Sequence, residues 1–204
     1  MKDWRDLLFM AVLTTVCTVL LVLSELAYQS FQAADPAVMR QVFGILTPAG
    51  KPLPADVRAA FADRFVSVKH LRLKGEFHAD RLTPGVVVRE AEGAGLWGKI
   101  RLLLAFDVQR QVLLGVAVLD QSETPGLGSR ITEPAFLQQM NQLPVPKLTR
   151  SVKSKFREGE FDGITGATIS STAMADILNV GIGQIRTAAA AGLFPASAPA
   201  QGGK

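Results

Sequence analysis

The sequence predicts an α+β domain, an antiparallel sheet with flanking helices, carried behind one amino-terminal apolar helix. Three observations predict it. Residues 7–23 (LLFMAVLTTVCTVLLVL) contain no charge, proline or glycine. Three later runs, GVVVRE at 85–90, KIRLLLAFD at 99–107 and QVLLGVAVLD at 111–120, have strand length and strand composition. A stretch from about Ser170 to Ala190 repeats apolar residues at helical spacing, with Ile177, Val180 and Ile185 among them.

Taken in order, the apolar run as a helix reaches roughly 25 Å, and about 33 Å if it continues to Tyr28, enough to cross a bilayer core. A cleaved signal peptide has a shorter apolar run, about 7–15 residues, followed by a small-residue cleavage site. Here the leader carries Asp3 and Asp6 and no such site follows directly, so a retained anchor is expected over residues 1–28. Lys2 and Arg5 precede the span and the next basic residue is Arg40, which places the leader in the cytoplasm and the rest outside. Thr14, Thr15 and Thr18 can bond back to their own helix. Residues 29–40 read as a connector, 41–192 as the external domain and 193–204 as a frayed, low-complexity tail.

Within the domain, Pro48–Asp56 carries turn residues and Val57–Phe65 has helical spacing. The gap DVQRQ between the second and third strand runs is of hairpin length, which predicts antiparallel pairing. Glu133–Leu143 reads as a short helix with proline in its first turn. No internal repeat occurs. The region after the connector, roughly 165 residues with its tail, is large enough for its own core.

Composition narrows the chemistry. With 48% hydrophobic residues the chain is not intrinsically disordered. One cysteine excludes a disulfide framework or a thiolate metal site from this chain alone, and two histidines, His70 and His78, argue against an autonomous metal centre. The net charge of +4 gives no case for nucleic acid but suits an anionic ligand.

Three segments are candidates for chemistry. Gly93–Ile100 (GAGLWGKI) approaches the phosphate-loop pattern but fails it: Ile100 stands where a hydroxyl should hold magnesium, and a strand follows where a helix is needed. Its glycines permit close backbone approach, and Trp97 offers either a flat binding surface or ordinary core. Glu123–Ile131 (ETPGLGSRI) is a loop fixed by proline and glycine, whose backbone amides can face a ligand or simply turn the chain. Asp162–Leu178 (DGITGATISSTAMADIL) places Thr165, Gly166, Ala167 and Thr168 at a helix entry, followed by Ser170, Ser171 and Thr172. Hydroxyls there can cap the helix. The Gly-Ala pair also clears space around the Thr168 hydroxyl, and the helix dipole favours an anion beside it. No serine-hydrolase pattern is present and no catalytic residue is assigned.

The stretch Asp162-Gly-Ile-Thr165-Gly166-Ala167-Thr168 resembles the D-x-x-[ST]-G-A-T flavinylation motif of membrane-anchored FMN-binding domains, and Glu123–Gly128 is similar to that family's E-T-P-G-L-G loop. Two branches share these motifs: the G subunits of Rnf-type electron transport complexes and the C subunits of sodium-pumping NADH:quinone oxidoreductases. The resemblance implies an FMN joined by a phosphoester to Thr168, with Thr165, Gly166 and Ala167 shaping the turn. It implies Ser170 or Ser171 as donors to phosphate oxygens. It further implies Glu123, Thr124, Gly126, Leu127 and Gly128 beside the flavin ring, with Trp97 stacking on it. Asp162 would belong to the signal recognised by a flavin transferase. The implied protein is an electron-relay component of a bacterial inner membrane, its domain on the periplasmic side and other membrane subunits as partners, with no metal and no nucleic acid. Two alternatives are a flavin-free anchored binding module and an FMN-binding accessory or regulatory subunit of another reductase.

Overall fold

The structure is a computed structural model that describes residues 2–32, 35–47, 51–70, 73–144, 149–151 and 159–194. It divides into two units, residues 1–37 and 38–204.

The first unit is dominated by helix α1 (Lys2–Gln32). Its segment Asp6–Ser24 is long and apolar enough to cross a bilayer, and none of its residues is buried. The hydroxyls of Thr14, Thr15 and Thr18 donate to the carbonyls of Met10, Ala11 and Thr14 at 2.7–2.8 Å, so they expose no unpaired donor on an apolar helix. The expected connector is mostly helical. Helix α1 continues to Gln32, and α2 (Pro36–Leu46) begins directly after Asp35, whose Oδ1 accepts the Ala37 amide at 2.7 Å. Proline at the first helical position and an aspartate cap start a helix where composition alone suggested a linker.

In the second unit, α2 and α3 (Val57–Arg64) lead into a six-stranded antiparallel sheet. Its strands lie side by side in chain order: β1 (Phe65–His70), β2 (Leu73–Asp80), β3 (Val86–Ala94), β4 (Lys99–Asp107), β5 (Val112–Asp120) and β6 (Leu143–Pro144). The 107–111 gap is the expected hairpin. Asp107 Oδ1 accepts the amides of Gln109 and Arg110 at 2.9 Å, and Gln111 takes the left-handed conformation at φ 55°. The expected helix over Glu133–Leu143 is instead one α turn, α4 (Pro134–Leu137), then a 3-10 turn (Gln138–Met140). It stops because Gln142 turns left-handed at φ 55° and delivers the chain to β6. A small parallel pair, β7 (Thr149–Ser151) and β8 (Glu160–Asp162), precedes the last helix, α5 (Thr168–Ala190). Residues 48–50 of the expected turn and the tail beyond 194 lie outside the described residues.

Both faces of the sheet are covered, which explains the unbroken apolar run of β4. Leu102, Leu104 and Phe106 pack towards α5 with Met174, Leu178 and Ile185. Leu103 and Ala105 point the other way, into a second cluster with Val42 and Phe43 of α2 and Val57 of α3. Successive side chains of a strand alternate faces, so a central strand covered on both sides needs apolar residues at every position. Helix α5 lies close on the sheet because glycine permits it. A Cβ at Gly93 would stand 2.5 Å from Ile177 Cγ1, and one at Gly181 would stand 2.6 Å from Leu104 Cδ2.

Candidate functional site

The three candidate segments converge at one end of the sheet. Gly93–Ile100 is the β3–β4 hairpin, closed by the Gly95 amide donating to the Gly98 carbonyl at 2.7 Å, so it is a strand turn and not a phosphate loop. The Glu123–Gly128 loop follows β5 and ends in a 3-10 turn (Gly128–Thr132). The Ile164–Ala167 turn, closed by the Ala167 amide on the Ile164 carbonyl at 3.0 Å, feeds α5.

Glu123 joins them. Its carboxylate is buried, at 5% exposure. Oε1 accepts the backbone amides of Leu96 at 2.8 Å and Trp97 at 3.2 Å, and Oε2 accepts the Ser170 hydroxyl. Glu123 therefore faces inward and holds the site together from behind. Gly128 is buried beside it, while Thr124, Pro125, Gly126 and Leu127 are exposed. The loop is braced internally: Leu127 and Ser129 amides donate to the Thr124 carbonyl, and Gly126, at φ 75°, donates its amide to Ser129 Oγ at 3.1 Å.

Thr168 is the first residue of α5, not a residue ahead of it, and it is exposed. Ala167 is the N-cap and makes no side-chain cap bond, so capping does not account for the hydroxyls that follow. Gly166, at φ 84°, needs the conformational freedom of glycine to bring the chain into the helix. Thr165 and Asp162 are exposed beside this turn.

Ser170 and Ser171 do not fit the phosphate-donor role. Both are buried, at 1% and 0% exposure. The Ser170 proton goes to Glu123, and the Ser171 hydroxyl donates to the Ala167 carbonyl at 2.9 Å while accepting the Ile164 amide at 3.1 Å. A hydroxyl has one hydrogen to give, and each is already engaged inside the protein. These serines build the turn beneath Thr168.

Beside Thr168 opens a cleft of ≈ 480 Å³ between the end of β3 and one face of α5, lined among others by Glu92, Ala94, Ile169, Thr172, Asp176 and Val180. Val180, one of the apolar positions at helical spacing, is 57% exposed there, whereas Ile177 and Ile185 are buried. Of these lining residues, sequence reasoning singles out only Thr172, after the threonine motif, and Val180, as an apolar helix position. Their signal is the spacing 169, 172, 176 and 180, one stripe of a helix that starts at the threonine motif. Trp97 is not core: it is 70% exposed, with Leu96, Leu127 and Ile169 also roughly half-exposed.

Residues 95–183 match the model of the FMN-binding domain. That range contains the β3–β4 turn, the Glu123 loop and the start of α5, so the matched domain and the assembled site coincide. The resemblance drawn from the two motifs holds. Among curated relatives, the chain is 40% identical over 95 residues to the G subunit of the ion-translocating oxidoreductase complex of Methanosarcina acetivorans, covering 47% of this chain and 48% of that protein. It is 25% identical over 107 residues to the C subunit of the Na(+)-translocating NADH-quinone reductase of Vibrio anguillarum, covering 48% of this chain and 42% of that one. The match thus spans about half the length or less of these relatives. In fold, the chain is similar to the crystal structure of the C subunit of the Na(+)-translocating NADH-quinone reductase from Parabacteroides distasonis. The TM-score is 0.58 at 18% identity, over 78% of this chain and 95% of that one.

The residues present fit an FMN on physical grounds. The first-turn amides of a helix lack intrahelical acceptors and carry the positive end of its dipole, so a phosphate at the Thr168 end of α5 is stabilised. The cleft volume falls within the range typical of small-molecule sites, about 300–1,000 Å³. Exposed Leu96, Trp97, Leu127 and Ile169 supply apolar surface for an aromatic ring system. Glu92 and Asp176 line the cleft and repel an anion, which favours the phosphate at the helix mouth over the cleft interior.

Proposed function

We propose that the chain is the electron-transfer subunit of a membrane-bound, ion-motive oxidoreductase complex, and that Thr168 carries FMN through a phosphoester on its hydroxyl. The observation that carries this reading is the position of Thr168. It ends the Asp162–Thr168 motif, stands first in a 23-residue helix, and is exposed while the two serines at 170 and 171 are buried. When bound, FMN supplies reversible one-electron chemistry that no side chain of this protein offers. The protein's part is to hold and orient. Thr168 tethers, Gly166 and Ala167 keep the approach to its hydroxyl clear, and Ser171 fixes the turn. Leu127 and Trp97 present apolar surface to the ring, and Glu123 acts from behind. The chain would not be catalytic alone.

The apolar helix Asp6–Ser24 supports a membrane anchor. Lys2 and Arg5 ahead of it support a cytoplasmic amino terminus and an external domain. A tether suits an external domain, where a dissociable cofactor would be diluted away. Partners would be other membrane subunits of the complex, with a flavin transferase acting on the Asp162–Thr168 motif during maturation.

Intact-mass measurement of the full chain, expressed in membranes together with a flavin transferase, tests the assignment. A mass increased by one FMN, retained in denaturant with in-gel flavin fluorescence and lost in Thr168→Ala, is expected. A native polypeptide of unmodified mass, or flavin retained in Thr168→Ala, would refute it. Co-purification with polytopic membrane subunits separates the relay from an accessory flavoprotein.

A further inference from the structure

We infer that Glu123 is a positioning residue whose buried carboxylate fixes the Gly95–Trp97 segment against the first turn of α5. Three donors reach it from two directions. The amides of Leu96 and Trp97 come from the β3–β4 turn, and the Ser170 hydroxyl comes from α5, two residues beyond Thr168. Every partner donates, as an ionised carboxylate requires.

Two glycines hold the space open. A Cβ at Gly95 would collide with Glu123 Oε1, and one at Gly128 would stand 2.8 Å from Glu123 Oε2. The carboxylate is thus enclosed by backbone that admits no side chain, on a loop braced by the bonds to the Thr124 carbonyl. Hydrogen bonds to a charged acceptor are roughly twice as strong as neutral ones. A turn anchored by two of them keeps its register relative to α5. Because Trp97 itself is 70% exposed, side-chain packing does little to hold it; the hairpin bond between Gly95 and Gly98 shapes its turn, and its backbone bond to Glu123 ties that turn to the rest of the site. The consequence is that Glu123, which does not face the cleft, decides where the Trp97 surface stands relative to Thr168.

The inference rests on the Thr168 flavin reading only for its spectroscopic arm. The test uses the full chain in detergent with Trp4→Phe, so that Trp97 is the single tryptophan. Glu123→Ala removes both arms of the clamp. Ser170→Ala cuts only the helix arm and serves if Glu123→Ala does not fold. Glu123→Gln retains an oxygen for the two amides and an amide group that can bond Ser170. Time-resolved fluorescence anisotropy should show Trp97 gaining fast, wide-amplitude motion in Glu123→Ala, with Glu123→Gln restoring most of the native decay. In flavin-loaded protein the visible circular dichroism should fall by at least half in Glu123→Ala at unchanged flavin mass, and recover in Glu123→Gln. Native Trp97 anisotropy in Glu123→Ala would overturn the inference, as would, where that variant is unfolded, an unchanged visible circular dichroism in flavin-loaded Ser170→Ala, whose helix arm is cut. So would a Glu123→Gln variant as mobile as Glu123→Ala. If the native chain carries no flavin, the proposed function fails while the Trp97 measurement still decides the role of Glu123.

Discussion

Glu123 and Ser170 are 47 residues apart in the chain, yet the Ser170 hydroxyl donates to Glu123 Oε2 in the interior beneath the helix that begins with Thr168. The contact ties the loop after the central strands to the last helix. It also engages the one hydrogen that the Ser170 hydroxyl has to give, two residues beyond Thr168.

The glycine beside this pair is under a stricter constraint than its loop neighbour. A Cβ at Gly128 would stand 2.6 Å from Ser170 Oγ and 2.8 Å from Glu123 Cβ, whereas one at Gly126 would meet nothing within 4 Å. Gly128→Ala should destabilise the domain by about 1–3 kcal/mol through overpacking. Gly126→Ala, strained only by its φ of 75°, should cost about 1 kcal/mol. Denaturation midpoints of the two variants, measured side by side, check the order.

Thr168 and Thr172 both line the cleft and both are exposed, so exposure alone does not choose between them for the proposed tether. Position does. Thr172 sits one turn into α5 and its hydroxyl donates to the Thr168 carbonyl at 2.9 Å. Thr168 is at the helix mouth, where the dipole favours an anion. Thr172→Ala should therefore keep the flavin mass increment that Thr168→Ala loses, and intact mass of both variants reads the result.

The fold was legible where burial forces a pattern. Strands β3, β4 and β5 announced themselves because helices cover both faces of the sheet, and β4 lies within the ends the sequence suggested. Strands β1 and β2 gave no such signal: they lie towards an edge, and their surface pairing of Lys69 with Glu76 puts charge into the run. The start of α2 was hidden because an Asp-Pro pair reads as a turn as readily as a helix cap. In the site, Thr168 and the Glu123 loop stood out as local motifs. The inward roles of Glu123 and Ser170 did not, since a hydrogen bond spanning 47 residues leaves no trace in local spacing. The stripe of Ile169, Thr172, Asp176 and Val180 is readable as helical spacing, but that it lines a cleft depends on β3 lying beside α5.

Away from the site, Asp80 holds the corner where α3 meets the sheet. Its side chain is fully buried. It accepts two bonds from Arg64 Nε at 3.1 Å and one from Arg64 Nη2 at 2.6 Å, plus the Leu82 amide at 2.9 Å. The Arg64 guanidinium also stacks over Phe43 and Phe65. Asp80→Ala would leave this mostly buried cation without its acceptor, at a cost of about 3 kcal/mol. Chemical denaturation should show that loss, while flavin attachment in the variant that still folds should persist.

His78 gives the domain a predictable response to acid. Its ring meets Phe61 edge-on at 5.1 Å and Nδ1 lies 3.0 Å from Ser67 Oγ. Burial lowers its pKa from the ordinary 6.5, and the nearby Glu76 and Glu90 only partly offset that. Folding thus holds His78 neutral, while the unfolded chain takes up a proton as the pH drops through 6.5. Above that value the group has no pH-dependent effect. Below it the unfolded state gains, so stability falls with decreasing pH and levels off once the folded state protonates too. His78→Gln should remove this component between about pH 7 and pH 5. Thermal midpoints across that range should converge at low pH if the variant is the less stable protein at pH 7, and parallel curves would exclude His78 as the source.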